Sequence, residues 1–414
     1  MLTGNEALAR ALVASRLRAS YGFVGLPLHR LTENLVARAP QGLRHQSANS
    51  DLQATSLALG GALLSGGGTA LLLRAGGVNV ALEGLATLGL INELRSPQII
   101  IAGFDPGPQA AATAQDDRHT LAYGSQLPQL EPGSPDELYH MTRLAVQASR
   151  LAGIPIVIRV SSRVLEMNAE VHESPPDPDG GGVSPVSSYA RSAGPYVMSS
   201  ATYRYHADKR ERRLHQLEAL ATALCTETGG DGPVGVILAG QLGPRIHARL
   251  ASRRVPTLRL GAAWPLPRLA IERFLRDRRE VLVLEEGQRF LEREVQSLAH
   301  ILDLSCRVRG ARARTPMRID EDHLENAFRG LGSEGQVGAP VERDLVAWRR
   351  MQEALIALRP IDMEPWPLFQ ARAREAVGLS GDGPTCPATR LHPRSRSANG
   401  RGRRSERGSV ARLS

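Results

Sequence analysis

The chain of 414 residues has few cysteines and no paired cysteine motif. Cys225, Cys306 and Cys386 are its three cysteines, and no two of them form a Cys-x-x-Cys pair. Zinc knuckles and iron–sulfur clusters take closely spaced cysteine ligands, so we expect this chain alone to ligate neither. A small disulfide-stapled domain is also excluded, and the sparse cysteines fit a reducing cytoplasm.

The chain also lacks a long apolar run. The most apolar stretch, residues 57–73, is interrupted by Gly66, Gly67 and Gly68 and is closed by Arg74. A membrane-spanning helix needs about 20 apolar residues, so this stretch predicts a helix, a turn and a buried strand. Charged residues at positions 6 and 10 fall where a secretory signal needs an apolar core. We therefore predict neither export nor a membrane partner.

Positive charge is concentrated at one end of the chain. The net charge is +9, and residues 384–414 contain eight arginines against one glutamate, which places +7 in that segment. A basic tail of this composition favours a solvated, disordered segment over a specific nucleic-acid surface. A nucleic-acid binder that uses this tail remains an alternative, and it predicts affinity that falls steeply with salt.

Short apolar runs alternate with helical patterns along most of the chain. The runs cover residues 69–73, 98–103, 155–160, 235–240, 256–261 and 280–286. Because they do not alternate with polar residues, they are typical of parallel strands covered on both faces. Residues 134–152 and 207–224 have helical spacing, and Ser134, Pro135 and Glu137 form a helix-start signal. The fold class predicted is α/β, with two doubly wound parallel-sheet domains.

Composition divides the chain into five parts. Residues 174–195 are rich in proline, glycine and serine, which is typical of a linker. The predicted parts are a first domain, a linker, a second α/β domain, a helical extension and a disordered tail, over 1–170, 171–205, 206–310, 311–380 and 381–414.

Simple motifs give only weak functional signals. The turn Gly22–Pro27 fits either a backbone-lined cofactor site or an ordinary strand-to-helix connection. Gly-Asp-Gly triplets at 230–232 and 381–383 lack the later asparagines of a magnesium–diphosphate loop, and both are predicted to be turns. The histidines at 119, 140 and 206 have no metal-ligand spacing, and there is no Gly-x-Ser-x-Gly elbow. We predict no metal site and no hydrolase.

A resemblance emerges when the motifs are taken in order. The segments that carry it are 2–7 (LTGNEA), 22–27 (GFVGLP), 47–49 (SAN), 76–81 (GGVNVA), 114–119 (AQDDRH), 130–134 (LEPGS), 159–164 (RVSSRV), 260–267 and 284–286 (LEE). In order and spacing they resemble the indolepyruvate ferredoxin oxidoreductase alpha subunit, over about residues 1–300 of this chain. No single motif is specific, but all of them occur in the family's order and at matching spacing.

The resemblance implies a thiamine diphosphate enzyme of which this chain supplies two domains. The first would be the pyrimidine-binding domain and the second a transketolase C-terminal-like domain. The implied reaction is oxidative decarboxylation of aryl 2-oxoacids to acyl-CoA, with electrons passing to ferredoxin. Thiamine diphosphate with magnesium is expected only if another chain completes the site. Coenzyme A, a partner oxidoreductase subunit and a homo- or hetero-oligomer are also implied.

One departure from the family concerns the cofactor. The family places a glutamate directly after the asparagine matched by Asn49, and here that position is Ser50. A hydroxyl is far too weak an acid to share a proton with the pyrimidine ring. Asp51 could replace the glutamate only if the helix starts one residue later or the register shifts. The cofactor-binding candidates by resemblance are Gly25, Pro27, Asn49, Ser50, Asp51 and Asn79, and no catalytic residue is assigned.

Two further departures leave the activity open. Arg74 and Ala75 replace a family lysine and histidine, and the resemblance ends abruptly after Pro387, which favours a frameshift or truncation over an evolved tail. One hypothesis is a pyrimidine-binding half that works with a diphosphate-binding half on another polypeptide. The alternative is a truncated, catalytically inactive homologue that serves as a structural or remnant subunit.

Overall fold

Runs of leucine, isoleucine and valine form the central strands, as their composition predicts. The structure is a computed structural model that describes residues 1–38, 42–64, 67–90, 96–105, 117–177, 200–230, 232–310, 319 and 353–355. The predicted tail, nearly all of the helical extension and residues 178–199 of the linker lie outside these ranges. Residues 114–116, the first half of the motif at 114–119, also lie outside them.

The described elements alternate between strands and helices. The strands are β1 Leu2–Thr3, β2 Ala19–Gly22, β3 Arg44–Ser47, β4 Thr69–Leu73, β5 Gln98–Phe104, β6 Gln129–Leu130, β7 Ile156–Ser161, β8 Asn168–Ala169, β9 Thr226–Thr228, β10 Val234–Ala239, β11 Thr257–Leu260, β12 Ala262–Trp264, β13 Glu280–Leu284 and β14 Arg307–Gly310. The α-helices are α1 Gly4–Ala14, α2 His29–Ala37, α3 Asp51–Leu64, α4 Gly77–Val80, α5 Leu82–Leu90, α6 Pro135–Ala152, α7 Ser162–Glu166, α8 Ser200–Ala223, α9 Gly243–Ser252, α10 Arg268–Arg276 and α11 Leu291–Ile301. A π-helix covers Thr120–Ser125 and a 3-10 turn covers Gly240–Leu242.

The described residues form two large sheets and a two-stranded sheet of β1 and β8. The seven-stranded sheet has the order β12-β6-β7-β5-β4-β2-β3, and the five-stranded sheet has the order β14-β13-β10-β11-β9. Strands β4 and β5 are buried along their whole length, because helices cover both faces of the sheet. The α/β class with parallel sheets is confirmed, and none of the described helices is long and apolar enough to cross a membrane.

Each large sheet departs from the parallel pattern at one edge. Strand β12 pairs antiparallel with β6, and β9 pairs antiparallel with β11. Gly261 alone separates β11 from β12, so the chain passes directly from the five-stranded sheet to the edge of the seven-stranded one. The predicted strand over 256–261 contains no sign of this exchange, because a three-residue edge strand is too short to show a pattern of apolar residues.

The second half of the chain also contributes to the first core. Leu217, Leu220 and Leu224, on or directly after α8, belong to the apolar cluster that covers the seven-stranded sheet. Contacts group residues 1–364 as one compact unit. The domain boundary across 171–205 therefore stays a prediction.

The start of α6 shows how the sequence sets a helix terminus. Ser134 is the N-cap and its hydroxyl accepts a hydrogen bond from the Glu137 amide, with proline in the first turn. The Glu137 carboxylate accepts a hydrogen bond from the Gly133 amide at 2.8 Å and pairs with both terminal nitrogens of Arg259. The predicted cap is present, and Glu137 also ties α6 to β11.

Replacing Ser134 with alanine tests this cap. Because the Glu137 amide loses its acceptor, we expect the free energy of unfolding to fall by about 1 kcal/mol. Urea denaturation measures the change. Ser56→Ala is the control, since the Ser56 hydroxyl only back-bonds to Leu52 inside α3. If the free energy of unfolding falls no more than it does in the control, the cap contributes little to stability.

Candidate functional site

The loops after β2, β3 and β4 meet at the carboxyl edge of the seven-stranded sheet. The Ala75 amide donates to the Leu26 carbonyl at 3.0 Å, and the Ala48 amide donates to Gly22 at 2.8 Å. Gly25 lies so close to the Arg74 side chain that a Cβ added to it would come within 2.6 Å of Cδ. Carboxyl edges of parallel sheets are the usual ligand sites of α/β folds.

Ser50 ends the loop after β3 as the residue before α3. Its hydroxyl accepts a hydrogen bond from the Gln53 amide at 3.1 Å, and the Gln53 side chain accepts one from the Asn49 amide at 2.7 Å. Ser50 is half-buried and Asn49 is exposed. The Ser50 hydroxyl is therefore engaged in capping the helix.

Asp51 is the first residue of α3, so this helix starts one residue after Ser50. Its side chain is fully buried, and its Oδ2 lies 3.1 Å from Nε of Arg74. A Cβ on Gly77 would lie 2.4 Å from Oδ1, so only a glycine fits at that close approach. The carboxyl thus fills a narrow space between α3, the turn after β4 and α4.

Two opposing influences act on this carboxyl. Burial raises the pKa of Asp51, and the charge and backbone amide of Arg74 act in the opposite direction. The groups that oppose the effect of burial are the Arg74 side chain and the backbone amides of Arg74 and Asp51, which hydrogen-bond the carboxylate. A buried carboxyl in this condition is a candidate partner for a ligand that supplies an N–H group.

Arg74 covers Asp51 on the outer side. Its side chain is about one third exposed, at 33%, against 0% for Asp51. The guanidinium also lies over the ring of Phe23, with Cζ 5.1 Å from the ring centroid. Arg74 and Gly77 contact Asp51, and Phe23 and Gly25 contact Arg74. The site prediction omitted three of them; a buried aspartate at a helix start, which needs a cation nearby, could have pointed to Arg74.

The remaining predicted residues lie around this centre. Pro27 is buried and packs on β5, where a Cβ on Gly103 would meet its ring at 2.7 Å. Asn79 is exposed on α4, and its side-chain oxygen accepts a hydrogen bond from the Thr120 hydroxyl at 3.0 Å. Asn79 therefore links α4 to the π-helix. Among the described residues, no group of three or more histidine, cysteine or acidic side chains could hold a metal.

A second cluster of charges is buried where the two sheets meet. Arg118 and Arg159 are fully buried, and both contact Glu131, which is 1% exposed. Arg118 makes a bidentate pair with Glu131 at 2.6 and 3.1 Å. Arg159 Nη1 lies 3.3 Å from the same carboxylate, and its Nε pairs with Asp117 at 2.5 Å.

The cluster continues into the five-stranded sheet. Arg118 donates to the Glu286 carbonyl at 3.0 Å, and Arg159 donates to the Gln241 side chain at 2.6 Å. Arg163 pairs with both Glu286 oxygens at 3.1 and 2.7 Å. Residues from the motifs at 114–119, 130–134, 159–164 and 284–286 thus meet in one network, which joins the two sheets.

No family model matches the chain. Comparison with known proteins does find relatives. Indolepyruvate oxidoreductase subunit IorA of Methanothermobacter thermautotrophicus is 28% identical over 356 residues, 83% of this chain and 55% of the relative. The subunit of the same name from Archaeoglobus fulgidus is 25% identical over 318 residues, 72% of this chain and 48% of the relative. The chain spans about half the length of the curated relatives it matches.

A solved structure shares the fold. A 2-oxoglutarate:ferredoxin oxidoreductase from Magnetococcus marinus, with 2-oxoglutarate, coenzyme A and succinyl-CoA bound, matches with a TM-score of 0.61 and 15% identity, covering 80% of this chain and 64% of that one. The identity is low, so this match concerns the fold alone. The curated relatives confirm the resemblance of this chain to the indolepyruvate ferredoxin oxidoreductase alpha subunit.

Proposed function

We propose that this chain forms the pyrimidine-binding part of a thiamine diphosphate-dependent 2-oxoacid:ferredoxin oxidoreductase. The similarity to IorA supports the family, and Asp51 is the observation that carries the site. This carboxyl is fully buried at the carboxyl edge of a parallel sheet and has Arg74 as its charged partner. When bound, thiamine diphosphate would supply a carbanion at C2 of its thiazolium ring for decarboxylation.

The residues around Asp51 fit the aminopyrimidine end of that cofactor. A carboxyl can hold or accept a proton at a ring nitrogen, which is the acid–base task required on the pyrimidine side of the site. We assign the task to Asp51 and not to Ser50, because the Ser50 hydroxyl already accepts a hydrogen bond from Gln53. Helix α3 starts at Asp51, which is one of the two conditions under which the aspartate can replace the family glutamate.

The other candidates would have supporting roles. Gly25 and Pro27 form the turn on which Arg74 and β5 pack, so they would shape the floor of the site. Asn49 and Asn79 are exposed polar groups and could donate hydrogen bonds to the ligand. The domain names, with a pyrimidine-binding domain over 1–170 and a transketolase C-terminal-like domain over 206–310, belong to the same proposal.

The finer parts of the activity follow from the relatives. The proposed substrates are aryl 2-oxoacids of the indolepyruvate type and coenzyme A, with ferredoxin as electron acceptor. Magnesium and the diphosphate-binding half would come from a part of the assembly outside the described residues. The proposed compartment is the cytoplasm.

An inactive, structural subunit is the second candidate. The observation that favours it is the closed state of Asp51, which is fully buried beneath Arg74. A ligand reaches the carboxyl only if Arg74 or the turn at Gly77 moves. If neither moves, the fold is retained without cofactor chemistry.

Calorimetric titration with thiamine diphosphate and magnesium, on the full chain assembled with the polypeptide that supplies the diphosphate-binding half, separates the two candidates. The proposal predicts saturable binding that Asp51→Asn weakens by about 10- to 100-fold, since a hydrogen bond to a charged group contributes about 1.5–3 kcal/mol. Asp277→Asn is the control, because Asp277 is an exposed residue that ends α10 in the other sheet layer. Absence of saturable heat, or equal affinity for the Asp51 variant, would favour the structural subunit.

A further inference from the structure

The Asp51–Arg74 pair is asymmetric with respect to solvent. Asp51 lies at the start of α3 beneath the surface, and Arg74 lies in the turn after β4, one third exposed over the Phe23 ring. Nε of Arg74 is 3.1 Å from Oδ2. An arginine side chain remains protonated at any physiological pH, so it provides a permanent positive charge at this distance.

The elements packed around Asp51 carry little other charge. The remainder of α3, the whole of β4 and the whole of α4 contain no titratable side chain apart from Asp51 itself. Glu83 in the first turn of α5 is exposed. Asp105, at the end of β5, accepts a hydrogen bond from the Ser162 hydroxyl. On β2 the Tyr21 hydroxyl lies beside Gly61 of α3, and on β3 His45 lies against Ser20, with its pKa lowered by burial. Arg74 is the cation that lies against the Asp51 carboxylate.

We propose that Arg74 is a positioning residue whose positive charge opposes proton binding by the buried Asp51 carboxyl. The carboxylate then accepts a hydrogen bond from an N–H group of a bound amino-heterocyclic ring. A carboxyl buried without a neighbouring cation binds a proton readily, because desolvation penalises the charged form. For its ligand this inference rests on the proposed function, whereas the ionisation itself is a property of the free chain.

The test measures the titration of Asp51 in the full chain without any ligand. Carbon-13 NMR follows the Asp51 carboxyl carbon as pH is changed, with Asp51→Asn used to assign the signal. In Arg74→Met, which keeps the apolar stem and removes the charge, the midpoint should move to higher pH. In Arg74→Lys the midpoint should stay closer to that of the natural chain. An unchanged midpoint in Arg74→Met would overturn the inference.

The pH dependence of stability provides a second readout. The pKa of Asp51 is raised in the folded chain, so the stability due to its bound proton is present at low pH and is lost as pH rises through that pKa. Removing Arg74 raises the pKa further. The stability deficit of Arg74→Met should thus be smallest in acid and grow as pH rises. Ser50→Ala, which removes only a cap, should show the same deficit at each pH.

These outcomes are independent of cofactor binding. If the Asp51 midpoint moves as expected and thiamine diphosphate does not bind, the proposed function fails and the role of Arg74 stands. If the cofactor binds and the midpoint does not move, the role of Arg74 fails and the proposed function stands. A pH-independent deficit in Arg74→Met would assign Arg74 a packing role only.

Discussion

Replacing Glu131 with glutamine is expected to lower the free energy of unfolding by about 3–5 kcal/mol. The substitution keeps the shape of the side chain and removes one charge from the network between the sheets. Arg118 and Arg159 would each lose a partner while remaining fully buried. An uncompensated buried charge is costly because the protein interior solvates it far less well than water does.

Urea denaturation of the full chain measures this effect. The matched control is Glu272→Gln, which makes the same chemical change in the exposed pair of Glu272 with Arg276 on α10. Exposed pairs of this kind contribute about 0–1 kcal/mol, so the control should differ little from the natural chain. Equal effects of the two substitutions would mean that the buried network does not hold the sheets together.

Replacing Asp51 with asparagine is expected to slow proton exchange at C2 of bound thiamine diphosphate by about 10²- to 10⁴-fold. This is the usual effect of removing a positioned acid–base group. Asparagine keeps the size and hydrogen-bonding capacity of the side chain but cannot hold the proton. Deuterium exchange at C2, followed by NMR after rapid quenching, measures the rate at saturating cofactor and magnesium in the assembly that includes the diphosphate-binding half.

Ser50→Ala is the companion variant for this measurement. The proposal predicts a reduced stability from the lost helix cap, with the exchange rate per bound cofactor nearly unchanged. If Ser50→Ala slows exchange as much as Asp51→Asn does, the family position itself performs the chemistry and the assignment to Asp51 is wrong.

Local pattern was sufficient for the central elements of the fold. The predicted strands over 69–73 and 98–103 correspond to β4 and β5, and the start signal at Ser134 corresponds to the N-terminus of α6. Their apolar content and capping residues act over a few neighbours along the chain, so the sequence alone carries that information. The exchange of β12 between the sheets depends on pairing with β6, more than 100 residues earlier, and local pattern contains no sign of it.

The same distinction applies to the candidate site. The order of the motifs points to Asn49, Ser50 and Asp51. A helix that starts after Ser50 is one condition under which Asp51 can replace the glutamate. Which of the two side chains is buried could not be predicted, because the answer depends on the close approach of Gly77. The role of the LEE motif at 284–286 was also hidden, since its partners Arg118 and Arg163 lie in the other half of the chain.

An experimental structure of the chain with thiamine diphosphate and magnesium bound tests the account most directly. The account predicts that a pyrimidine ring nitrogen lies within hydrogen-bonding distance of an Asp51 carboxyl oxygen, about 3 Å, with Ser50 still capping α3. A ring seated against Ser50 with Asp51 still closed beneath Arg74, or a cofactor bound away from this sheet edge, would contradict it.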